Sequence, residues 1–192
     1  MTPTHLPGPV AIPSLPEQTR DTPGTTAPLQ HFNTIPADEI RRTLLTCLHS
    51  HRWATRIAAH RPYPDVDSLL AASDEAAYDL TAGDQAEALA GETLPALPAD
   101  TYGAAHMALG AAHAAYENRF GHVFVICLDG VAPEESLDRV LEGIRSRLAN
   151  DPEEERVVTA EELRRLAKER LMTLLRGAGN GATSHNGTAP GR

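Results

Sequence analysis

The chain has 192 residues and a formal net charge of −9, from 26 acidic and 17 basic side chains. That length suits one domain with a buried core, and the acidic balance argues against a dedicated nucleic-acid binder, which carries a basic footprint. Aromatic residues are only 4% of the chain, so the core must rest on Leu, Ala, Val and Ile. No run approaches the roughly 20 apolar residues that cross a bilayer, and the N-terminus lacks the basic start and apolar stretch of a signal peptide.

Residues 1–30 hold seven of the fifteen prolines with no apolar period between them, and they read as a disordered tail. Pro36 suits the first turn of a helix that carries Ile40, Leu44, Cys47 and Leu48 on one face. The prolines of "RPYPDVDSLL" break the chain before a helix through Leu69, Leu70 and Tyr78, and a short helix follows over Asp84 to Ala90. "TLPALPAD" is a further break, with Asp100 as the cap of a long helix through Met107, Leu109, Tyr116 and Phe120.

Then comes "ENRFGHVFVICLDG", whose Val123–Cys127 run has the composition of a strand in a chain that offers it no partner strands. Pro133 begins a helix bearing Leu137, Val140, Leu141, Ile144 and Leu148. Thr159 with Glu162 three residues on has the form of a capping box for a last helix that Gly177 ends. Residues 177–192 are Gly-rich and unpatterned, a second tail. The fold class is all-α: one helical domain over residues 31–176 between tails 1–30 and 177–192, with no internal repeat.

Chemistry-bearing patterns are sparse. Nine histidines occur, but neither HExxH nor paired CxxC spacing is present, so no metal site is expected. No nucleophile elbow or nucleotide loop appears, and "GAGNG" has no strand before it or helix after it. Trp53 and Tyr63 among Arg52, Arg56 and Arg61 read as a packing corner rather than a cation–π cluster. Cys47 and Cys127 each lie in an apolar run. They read as buried free thiols in a reducing, cytoplasmic setting.

Three blocks taken in order are more specific: "FNTIPADEIRRTLLTCLHSHRWATRIAAHRPYPDVDSLL", "AAYENRFGHVFVICLDG" and "RLANDPEEERVVTAEELRRLAKERLMTLL". Together they resemble the OHCU decarboxylase family over Phe32 to Leu175. The resemblance implies a cofactor-free, all-α homodimer acting on a small molecule. That molecule is 2-oxo-4-hydroxy-4-carboxy-5-ureidoimidazoline, converted to (S)-allantoin and CO2 in urate breakdown. It further implies that Phe124, Val125, Ile126, Cys127 and Leu128 form an extended pocket wall, and that Arg170 contacts the substrate, its guanidinium forked on the carboxylate.

The chain departs from the family at the chemistry. Spacing carried from Arg61-Pro62 puts Glu92 at the family's catalytic histidine and Thr93 at the proline that follows it. No Glu-Gln pair follows, and His113 stands where the family has asparagine. Two candidates for the proton-carrying role remain: Glu92, if a dry pocket suits it, and His113 as a substitute. The alternative is a catalytically degenerate homologue that binds or regulates.

Overall fold

The computed structural model describes residues 26–95 and 103–182. It contains eight α-helices among the described residues: α1 Thr26–Thr34, α2 Ala37–Cys47, α3 His51–Ala59, α4 Val66–Tyr78, α5 Ala82–Ala90, α6 Gly103–Phe120, α7 Ser136–Arg147 and α8 Pro152–Ala182. A single 3₁₀ turn, Pro133–Glu135, leads into α7. No strand occurs among the described residues, and the fold is all-α.

The helices enclose two apolar clusters. The larger joins α1 to α4 with α8, around the fully buried Trp53, Leu44, Ile57, Leu69 and Leu171. Trp53 also satisfies its indole N–H, which donates to the Ser73 carbonyl at 3.2 Å. The smaller cluster lies between α6 and α7 around Tyr116, Val140 and Ile144.

The strand-like run bridges the two. Gly121, at φ 78°, adopts the left-handed conformation that ends α6, and Val123 to Leu128 then run extended without a partner strand. Alternate side chains of an extended chain point to opposite sides. Val123, Val125 and Cys127 accordingly pack into the larger cluster, and Phe124, Ile126 and Leu128 into the smaller. The segment is a seam between two cores. Gly143 of α7 lets it approach closely: a Cβ there would lie 3.1 Å from the Phe124 ring and 3.2 Å from Ile126 Cδ1.

Side chains from α7 and α8 hold the seam's backbone. Arg147 Nη1 donates to the Val125 carbonyl at 2.6 Å, and the Cys127 N–H donates to Glu162 at 2.7 Å. Arg147 also meets the buried Glu155 carboxylate at 2.6 and 2.8 Å and the Thr159 hydroxyl at 3.0 Å. The Tyr116 hydroxyl donates to the same carboxylate. Burial alone would raise the Glu155 pKa, but hydrogen bonds from Arg147, Tyr116 and Asn150 outweigh it and hold the carboxyl below its ordinary value. Burial and the bond to Glu155 push the Tyr116 phenol up to about 12.

Several boundaries differ from the sequence reading. Helix α1 begins at Thr26, inside the expected tail, because Leu29 and Phe32 reach the larger core. Helix α3 was not expected: Ser50 caps it, its side chain accepting from the Trp53 N–H at 3.3 Å. Thr159 is no cap. Helix α8 starts at Pro152, where Asp151 accepts from the N–H groups of Glu153 and Glu154, each at 2.9 Å. The Asp151 N–H donates back to Glu154 at 3.0 Å, which makes this the true reciprocal cap. Helix α8 also passes Gly177 and ends at Ala182. Pro36 sits just before α2 rather than within it. Asp100 and the remaining tail residues, 1–25 and 183–192, lie outside the described residues.

Trp53 and Tyr63 are buried as a packing corner. The arginines near them have other partners: Arg56 pairs with Asp79 and Glu75, and Arg61 donates to the carbonyls of Phe32 and Ile35.

Candidate functional site

A cavity of about 500 Å³ opens where the end of α5, the seam and α8 meet. That volume suits a small organic ligand. Helix α5 is started by a Thr81–Asp84 capping box and finishes at Ala90. Gly91 then turns the chain against His49, where a Cβ would lie 2.4 Å from the His49 Cβ. This close approach delivers Glu92 to the cavity. From the seam come Val125, Ile126 and Leu128, and from α8 come Glu169 and Arg170.

Glu92 and Arg170 meet in a two-pronged ion pair. The two guanidinium Nη atoms donate to the two carboxylate oxygens, each at 2.7 Å, and Nη1 also reaches the Cys47 carbonyl at 3.1 Å. The Glu92 side chain keeps only 4% of its surface in solvent and that of Arg170 34%. The hydrogen bonds that Arg170 donates to Glu92 are the main reason that its pKa is raised, so the guanidinium is firmly charged. Among the described residues, the other charges on the cavity are negative: Asp129 and Glu169 both line it.

The structure divides the expected site residues. Glu92, Val125, Ile126, Leu128 and Arg170 share this cavity. Cys127 does not line it and faces a neighbouring cavity of about 470 Å³ with Lys168 and Met172. The Cys127 thiol is pushed up by burial, so it is a poor nucleophile. Phe124 points the other way, edge-on to Tyr116 at 5.0 Å with Arg147 over its ring at 4.6 Å. His113 is buried on α6 with its ring 6.0 Å from Phe124, and it does not line the cavity. Desolvation lowers its pKa, and Nδ1 has no hydrogen-bond partner among the described residues.

Two backbone groups of the seam are already engaged by side chains. Arg147 and Glu162 already meet Val125 O and Cys127 N. Sequence reasoning passed over Glu162, Leu166, Glu169 and Arg170 as a group, although their spacing places them on one helical face. Among the described residues no three His, Cys, Asp or Glu side chains converge as a metal-binding group, and no helix is long and apolar enough to cross a membrane.

Helices α1 to α8, an extended seam and a charged cavity beside it define a small all-α protein. The chain belongs to the OHCU decarboxylase family, whose model matches residues 33–99 and 96–172. Among solved structures it is similar to an (S)-allantoin synthase, with 20% identity and a TM-score of 0.61 over 76% of this chain and 53% of that one. The chain thus spans about half the length of that protein. It is also similar to an OHCU decarboxylase solved in the presence of (S)-allantoin, with 21% identity and a TM-score of 0.56 over 70% of this chain and 97% of that one. At such identities the likeness concerns the fold. Comparison with curated protein sequences returned no match.

Proposed function

We propose that the chain works in urate breakdown on 2-oxo-4-hydroxy-4-carboxy-5-ureidoimidazoline, as an OHCU decarboxylase-like protein of low turnover. One observation carries the reading. A single cavity gathers Glu92, Arg170 and the Val125–Leu128 wall, which lie far apart in sequence. In this reading Arg170 forks onto the substrate carboxylate. Loss of CO2 breaks the C–C bond, and the electron pair left behind is finally protonated on one face of the ring to give (S)-allantoin. On the same reading Glu92, at the family's histidine position, carries that proton. The family resemblance favours a cytoplasmic homodimer that needs no cofactor.

A second reading, a binding or regulatory homologue, is favoured by the ion pair itself. Glu92 fills the fork that the substrate carboxylate needs. Purified protein supplied with freshly generated substrate tests both, with CO2 release and the circular dichroism of allantoin as readouts. The expected rate lies about 10²–10⁴-fold below that of a family member with the His-Pro motif, the loss for one positioned acid/base group. Saturable binding without turnover would support the second reading. A full, stereospecific rate would refute the low-turnover assignment.

A further inference from the structure

From the bidentate Glu92–Arg170 pair we infer that Glu92 is a specificity-determining residue, an internal carboxylate that competes with anionic ligands for Arg170, so that the cavity holds a carboxylated substrate weakly and prefers uncharged ureido compounds. A carboxylate ligand needs the same two donors that Glu92 now occupies at 2.7 Å each. It must therefore displace a side chain of which 4% is exposed, and a carboxylate stripped of its partner at such a site is strongly disfavoured. Among the described residues the displaced Glu92 meets no other cation, since the other charged groups on the lining are Asp129 and Glu169. These also repel an incoming anion. An uncharged ligand with amide-type groups meets none of these penalties. Ile126 and Leu128 line the cavity, and such a ligand can pack against them without disturbing the pair.

The choice of ureides as probes rests on the proposed function, whereas the closed fork does not. Allantoin and allantoate offer the same ureido chemistry without and with a carboxylate, and equilibrium titration against the wild type and Glu92→Gln reads the difference. The wild type should prefer allantoin. Glu92→Gln should bind allantoate about ten- to hundredfold more tightly than the wild type, with allantoin changed by less than about twofold. An unchanged preference in a folded Glu92→Gln, or in Glu92→Ala where Gln still blocks the fork, would overturn the inference.

Phenylglyoxal labelling, followed at Arg170 by peptide mass spectrometry against the exposed Arg42, tests the fork without any ureide. Labelling of Arg170 should be several-fold faster in Glu92→Gln and slowed again by allantoate in that variant only. Equal labelling rates in the two proteins would refute the closed fork. Faster labelling of the variant without ureide binding would keep the fork and refute the ureidoimidazoline reading of the pocket.

Discussion

Replacing Arg147 by Met is the severest test of how the seam is held. Met keeps much of the side-chain length and removes the guanidinium that meets Glu155, Thr159 and the Val125 carbonyl. The Glu155 side chain is 1% exposed, so the variant leaves a buried carboxylate without its countercharge. Breaking such a pair from one side costs about 3–5 kcal/mol. Orphaning one buried carbonyl costs about 1–3 kcal/mol more before relaxation. Since Tyr116 and Asn150 still donate to Glu155, a net loss of about 3–5 kcal/mol is expected.

Urea unfolding at pH 7.5 measures it, and its pH dependence has a definite sign. In the wild type the folded pKa of Glu155 is depressed. Its stabilisation is therefore present above the unfolded value of about 4.3 and is lost as pH falls through the folded pKa. In Arg147→Met the carboxyl has lost its cation and takes up a proton at higher pH, so the gap to the wild type should narrow between about pH 7 and pH 5. The double variant Arg147→Met/Glu155→Leu, which removes both charges, should recover much of the loss. A loss below about 1 kcal/mol for Arg147→Met, or a double variant as weak as the two singles summed, would refute the account of a buried, mutually dependent network.

Trp53→Ala should cost about 3–5 kcal/mol in urea unfolding, and a value near zero would show that the larger core does not depend on it. His113 has a lowered pKa in the folded protein. Its contribution to stability is therefore present above about pH 6.5 and is lost as pH falls below that value. His113→Asn should flatten the decline in unfolding midpoint between about pH 7 and 5 relative to the wild type, and parallel curves would count against a neutral buried imidazole. Removing residues 1–25 should leave the melting temperature within a few degrees, whereas removing 1–30 takes away the buried Leu29 and should lower it by several degrees more. Equal melting temperatures for the two truncations would place α1 outside the cooperative unit.

What the sequence disclosed follows from which residues act through their neighbours in the chain. Helices α2, α4, α5, α6 and α7 were legible because apolar period, proline breaks and caps agreed along each. Helix α3 went unseen because a gap of only three residues, Leu48 to Ser50, separates it from α2, so the break between them is easily missed. Thr159 and Glu162 have capping-box spacing, but each is turned to a distant partner: Thr159 to Arg147, Glu162 to the Cys127 N–H. Local spacing cannot distinguish a cap from a tertiary bond. The site shows the same limit. The resemblance pointed to Glu92 and Arg170 separately, but nothing in their spacing announced that they would pair with each other.

That pair joins residues 78 positions apart, the end of α5 and the middle of α8. Closing so long a loop costs entropy that must be met before the contact contributes anything. The cavity therefore comes into being only when α8 has docked, and contacts made that late are weakly developed in a folding transition state. A ligand held between α5 and α8 should accordingly leave the refolding rate almost unchanged and lengthen the lifetime of the folded chain. In a cell, scarcity of that ligand would then be felt as faster turnover of the protein, with its rate of maturation untouched.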